Sequence, residues 1–224
     1  MDINLMISIF PSLLSGAFIT LKLLISSMFF GLLIGLIFAI LRINKYPIIN
    51  MFAYGYSYLF RGTPLLVQLY LIYYGLANIE FIRNSLFWVI IKEPYWCAII
   101  AFSLNTGAYT SEILRSAFQT IKKGYLEAAQ SLGVSKKITF YRIQLPIAIK
   151  QSLPAYGNEI ILMLKGTSLA SVITIMDLMG EARKINVITF KPFEAFITAG
   201  IIYLFMTFII DRIIKLLEKK YIYQ

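Results

Sequence analysis

The stretch FFGLLIGLIFAIL, residues 29–41, contains no charged residue and no alternation of polar with apolar side chains. Such a run dictates its own surroundings. A helix crosses a bilayer with about 20 mostly apolar residues, and only helices and closed barrels satisfy their backbone groups in lipid. A barrel strand would alternate over roughly ten residues, which this run does not. Similar runs recur along the 224 residues; 59% of the chain is hydrophobic, 14% is charged, and the mean hydropathy is +0.75. Soluble domains are not built this way. The sequence therefore predicts an all-α integral membrane protein, one domain over 1–224. Five transmembrane helices are expected at about 14–41, 51–78, 95–114, 152–176 and 193–211.

Charge orients the spans. With the amino terminus outside and the carboxyl terminus in the cytoplasm, the inner segments hold Arg42 and Lys45, then Arg115, Lys122, Lys123, Lys136, Lys137, Arg142 and Lys150, then Arg212, Lys215, Lys219 and Lys220. The outer segments hold only Arg83, Lys92, Arg183, Lys184 and Lys191, as the positive-inside rule requires. The net charge of +10 is thereby explained without nucleic acid. There is no histidine, which removes histidine catalysis, histidine metal sites and Cys/His zinc sites. The opening MDINLMISIF lacks the positive start of a cleavable signal, so the first run is expected to remain in the mature protein.

Two spans are irregular. Arg61-Gly62-Thr63-Pro64 interrupts the second; it predicts either a kinked helix or a surface segment (48–60) followed by a shorter span from Pro64. Pro154 and the run Lys165-Gly166-Thr167-Ser168 interrupt the fourth, and irregular backbone at membrane depth belongs where protein or a cavity covers it.

The tract TIKKGYLEAAQSLGVSKKITFYRIQLP, 120–146, is polar and faces the cytoplasm on this topology. A short helix is expected over Tyr125–Leu132, ended by Gly133 in a left-handed cap. A second is expected from a Ser135 cap, stopping before Pro146. Ala128 and Ala129 would be exposed, allowing close approach of another surface. Glu127-Ala128-Ala129, Gly133, Ile143, Leu145 and Pro146 at this spacing resemble the EAA loop of membrane-spanning permease subunits of bacterial ABC importers. RGTPLLVQL (61–69), AYTSEILRSAFQTI (108–121) and the Asn158-to-Leu169 pattern resemble the polar amino acid branch, so the likeness covers about 13–215. Gly166 stands where that branch usually has an aspartate.

The resemblance implies a type I importer permease core and a dimer with a second copy or a sister subunit. It also implies an external amino acid-binding protein, and ATP-binding subunits into which the 120–146 loop docks. No Gly-x4-Gly-Lys-Ser/Thr loop occurs, so no cofactor is expected on this chain and ATP would be hydrolysed by the partner. Glu127 is read either as a coupling residue or as a helix-start acid favoured by the macrodipole.

Polar residues within spans are candidates for a substrate path. Asn105, Tyr109 and Glu112 share one helical face and could meet an ammonium; Glu112 could instead pair with Arg115. Asn158 and Lys165, seven apart and followed by Thr167 and Ser168, could meet a carboxylate or pair with Glu159 and Glu112. Two other readings compete: a membrane enzyme using Glu112, Glu159 and Asp177, which lack a clustered spacing, and an ATP-independent secondary amino acid carrier.

Overall fold

A computed structural model of the chain describes residues 2–43 and 46–221. Among them the structure is helical, with no strand. Lys45, one of the inner cations, lies outside the described residues. Helix α1 runs Ile3–Arg42, capped by the Asp2 carboxylate, which accepts from Leu5 N at 3.1 Å. Its 40 residues extend about 60 Å, well beyond the expected 14–41. Outside the bundle it presents Phe18, Ile25, Phe29, Leu33, Ile37 and Ile40, a stripe with the helical period.

The inner face of α1 is small: Ser27, Gly31, Gly35 and Ala39, four apart, are buried against α6 (Pro94–Gln119). A Cβ on Gly35 would lie 2.6 Å from the Thr110 side chain, and one on Gly31 would strike Thr106. Without apolar solvent exclusion to drive helices together in lipid, close backbone contact of this kind supplies the packing. Helix α6 is also flanked by α2 (Pro47–Gly62), α3 (Leu65–Tyr70) and α9 (Leu145–Gly166). Its polar residues Ser103, Asn105, Thr106, Thr110 and Ser111 are buried in that surround.

The second expected span is broken rather than kinked. Thr63 and Pro64 have extended backbone (ψ 146 and 134), separating α2 from α3, which continues in a π turn over Leu71–Gly75. Short helices α4 (Glu80–Arg83) and α5 (Trp88–Ile91) lead to α6. The polar 120–146 tract forms α7 (Lys123–Ser131) and α8 (Lys136–Thr139); a π turn over Phe140–Gln144 then runs directly into α9. The expected stop before Pro146 is therefore corrected. Pro146 cannot donate to Arg142 O, and widening the preceding turn to i→i+5 bonding accommodates the missing donor without ending the helix.

Beyond α9 a 3₁₀ segment, Thr167–Ile173, ends at Thr174 (φ 73°). Then α10 (Leu178–Thr189), a helix within the stretch expected to link the last two spans, packs on α1 and α11 (Pro192–Tyr221). Helices α1 and α11 are long and apolar enough to cross a membrane, and the rod 136–173 with α10, bent by 50°, qualifies as a third span. At one end of the bundle Lys191 Nζ donates to Asp2 Oδ2 at 2.7 Å, and that ammonium holds the Asp2 carboxyl below its usual range.

Candidate functional site: a cleft walled by arginines beside a helical knuckle

Two features stand out at the arginine- and lysine-rich end. The first is the knuckle between α7 and α8. Gly133 has φ 70°; its N–H donates to Gln130 O at 2.9 Å, and Val134 N donates to Ala129 O at 3.0 Å, a Schellman cap. Ser135 Oγ accepts from Ile138 N at 3.4 Å and starts α8. Both caps are as the sequence predicts. Glu127 and Ala128 are exposed, as are Tyr125 and Leu132. Ala129 is not: it is buried, because its side of α7 faces inward while Ala128 takes the outer face, which corrects the expected exposure of both alanines. Phe140, carried on the π turn, stacks on Phe118 at the end of α6 with centroids 5.7 Å apart. The knuckle is thus fixed to one bundle helix by a ring pair and continuous with another through Ile143, Leu145 and Pro146.

The second feature is a cleft of about 870 Å³ between α6 and α9, lined by Arg61, Tyr109, Glu112, Lys150, Gln151, Ala155 and Tyr221 among others. At its wall one carboxylate meets three guanidiniums. Arg115 Nε donates to Glu112 Oε1 at 2.9 Å and Arg115 Nη2 contacts the same oxygen; Arg42 Nη2 lies 3.4 Å from Oε2, and Arg61 Nη1 3.8 Å from it. Arg42 is further held by Asn50 Oδ1 at 3.0 Å and by the Tyr54 ring at 4.9 Å. Of the two readings of Glu112, pairing with Arg115 is what the geometry shows, and Arg42 and Arg61 join it.

The remaining candidates do not form one lining. Tyr109 reaches the cleft, its ring 5.6 Å from Arg61 Cζ. Asn105 does not: it is 7% exposed, and its amide donates to Phe60 O at 3.1 Å and Gln68 Oε1 at 3.0 Å. The reason lies at the helix break. Phe60 O would bond to the amide of residue 64, but Pro64 has none, so Gln68 Nε2 (2.7 Å) and Asn105 Nδ2 stand in. Glu159 is buried and accepts from Thr106 Oγ1 at 2.8 Å, tying α9 to α6. Among the described residues no ion pair joins Lys165 to Glu159 or Glu112, which corrects that expected pairing; Glu159 faces α6, whereas Lys165 is exposed.

Asn158 and Lys165 share an exposed face of α9 with Gln151, Ala155 and Leu162. Thr167 is buried, donating to Leu164 O, and Ser168 Oγ donates to Lys165 O. Asp177 caps α10 through Gly180 N at 3.0 Å. The three acids of the enzyme reading thus serve three different contacts.

Comparison with known proteins bears on both features. The family model described as "Binding-protein-dependent transport system inner membrane component" matches residues 31–223. The chain belongs to that family. This transport component is 48% identical over 219 residues to a nopaline transport system permease protein of Agrobacterium fabrum, across 97% of the chain and 91% of the relative. It is 38% identical over 209 residues to a histidine/lysine/arginine/ornithine transport system permease protein of Salmonella typhimurium, across 93% and 89%.

Its fold superposes on a crystal structure of an amino acid ABC transporter with histidines at a TM-score of 0.88, with 35% identity over 98% of this chain and 99% of the other. A permease component of this family is a transport subunit rather than an enzyme, and it works with a separate ATPase and a binding protein. What the sequence reading missed is the role of Arg42, Arg61, Gln68 and Lys150. RGTPLLVQL stands out as a motif, but Glu112, the partner of Arg61, and Asn105, which joins Gln68 on the Phe60 carbonyl, lie far along the chain.

Proposed function

We propose that this chain is the bacterial inner-membrane permease subunit of an ATP-driven importer of polar amino acids. Five transmembrane elements would build it: α1, the broken α2–α3 pair, α6, the bent rod of α9 and α10, and α11. The amino terminus would lie outside and the knuckle, 120–146, in the cytoplasm. There Glu127, Ala128, Ala129, Gly133, Ile143, Leu145 and Pro146 would couple the subunit to an ATPase that binds and hydrolyses ATP, with no cofactor on this chain.

A second copy or a sister subunit would complete the translocation path, lined by Tyr109 and by the Asn158–Lys165 face of α9, with cargo delivered by an external binding protein. Asn105, Glu112, Thr167 and Ser168 would support that path by holding its walls. The observation that carries the reading is the knuckle: exposed Glu127 and Ala128 sit on α7, which the capped Gly133 turn joins to α8, and α8 runs through the π turn straight into α9, so force applied in water reaches buried helices. The amino acid class is supported by the names of the relatives above.

The test is reconstitution in liposomes with its ATPase and binding protein, scoring uptake of the twenty common amino acids, nopaline and octopine. ATP-dependent uptake of an amino acid, and crosslinking of Ala128→Cys to the ATPase, are expected. Uptake independent of the ATPase would overturn the reading.

A further inference from the structure

We propose that Arg61 receives the carboxylate of the cargo in the cleft between α6 and α9; this rests on the importer reading above. Glu112 already has one oxygen bonded to Arg115 and the other facing Arg42, which Asn50 and Tyr54 hold in place. Arg61 sits 3.8 Å from the carboxylate, beyond hydrogen-bond reach, and its side chain is 40% exposed against 12% and 20% for Arg42 and Arg115. It is the third cation at a carboxylate that two cations have already neutralised. Its guanidinium donors open into a cavity large enough for an amino acid, and Lys150 adds a further positive charge to the lining. The sign of this wall is the reverse of what Glu112 suggests in sequence: an ammonium is repelled there and a carboxylate is attracted.

Geometry makes Arg61 a directed binder rather than a diffuse charge. The Tyr109 ring, 5.6 Å from its Cζ, restrains the plane of the guanidinium, and Nη1, 3.8 Å from Glu112, makes no hydrogen bond there, so the fork can turn to a bidentate contact. Arg61 also occupies the last turn of α2, immediately before the Thr63–Pro64 break, whose carbonyls Gln68 and Asn105 secure. A residue placed there moves with α2, so a change in how α2 lies on α6 changes whether the carboxylate is held.

The experiment measures binding of tritiated amino acid to the purified permease–ATPase complex in nanodiscs, using the amino acid that the wild-type complex takes up fastest. Its decarboxylated amine serves as competitor. Arg61→Gln is expected to weaken binding by about tenfold or more, the loss of a charged hydrogen-bonding partner. Arg61→Lys, which keeps charge without the fork, is expected to recover part of it, and the amine should not compete. Wild-type affinity in Arg61→Gln, or competition by the amine equal to that of the parent amino acid, overturns the assignment.

Anionic lipid is the other source of a negative headgroup. An Arg61→Gln effect present in phosphatidylglycerol nanodiscs and absent in phosphatidylcholine would assign the site to lipid phosphate and overturn the proposal. Failure of the wild-type complex to import any amino acid would instead overturn the importer reading, and this assignment with it.

Discussion

At Glu112 a single carboxylate joins three elements, since Arg42 ends α1, Arg61 ends α2 and Arg115 lies one turn further along α6. Replacing it with glutamine keeps the shape but leaves three guanidiniums facing one another. Glu112→Gln is expected to lower stability by about 2 kcal/mol, read as a drop in melting temperature of the detergent-solubilised protein. Because the damage is repulsion, salt should recover part of the loss; at 0.15 M the screening length is about 8 Å. An equal deficit at all ionic strengths would mean that packing, and not charge, is what Glu112 supplies. Gly133 poses a different residue-scale question. A Cβ there would meet nothing within 4 Å, so only its φ of 70° restricts the position. Gly133→Asn, which tolerates that region, should therefore keep coupled uptake, while Gly133→Val should strain the cap by roughly 1–3 kcal/mol and lower uptake per ATP hydrolysed.

Among the elements, the break between α2 and α3 shows how irregular backbone survives inside a helical bundle. The carbonyl orphaned by Pro64 is bonded to Gln68 and Asn105, both nearly inaccessible. Gln68→Leu should cost about 2 kcal/mol, and Asn105→Ala a similar amount. The double variant should lose less than the sum if the two amides act as one clamp on Phe60 O, a cycle measurable by thermal unfolding. Full additivity would separate the two contacts.

This break was legible from Arg61-Gly62-Thr63-Pro64; its repair was not, because Gln68 and Asn105 are 37 residues apart and nothing in a lone glutamine announces a backbone partner. The apolar helices were legible because lipid dictates their composition. Helix α10 was not: LMGEARKINVIT mixes charge with apolar residues, and its helix depends on the Asp177 cap and on burial of Leu178, Ala182 and Ile185. The Asp177 cap followed by that spacing was the available signal. The π turn was hidden by the rule that proline ends helices, which holds only when the turn before it cannot widen.

Over the whole molecule, what each outer face presents says what covers it. From Ile25 to Ile40 on α1 and from Phe196 to Ile209 on α11 no exposed residue carries a polar side chain, with Phe29, Leu33 and Ile37 on one and Leu204, Phe205 and Phe208 on the other, as lipid demands. The exposed side of α9 carries Gln151, Asn158 and Lys165 around Leu162, and a charge such as that of Lys165 costs about 3 kcal/mol in the bilayer core if lipid meets it. Protein or a water-filled path must cover that face, and the proposed partner permease supplies both. In a background with Cys97 replaced by alanine, Leu162→Cys should therefore crosslink between permease subunits in membranes, whereas Phe208→Cys should not. If the two positions crosslink alike, or if only Phe208→Cys does, the paired permeases meet through another face, and the polar stripe of α9 borders something other than a shared path.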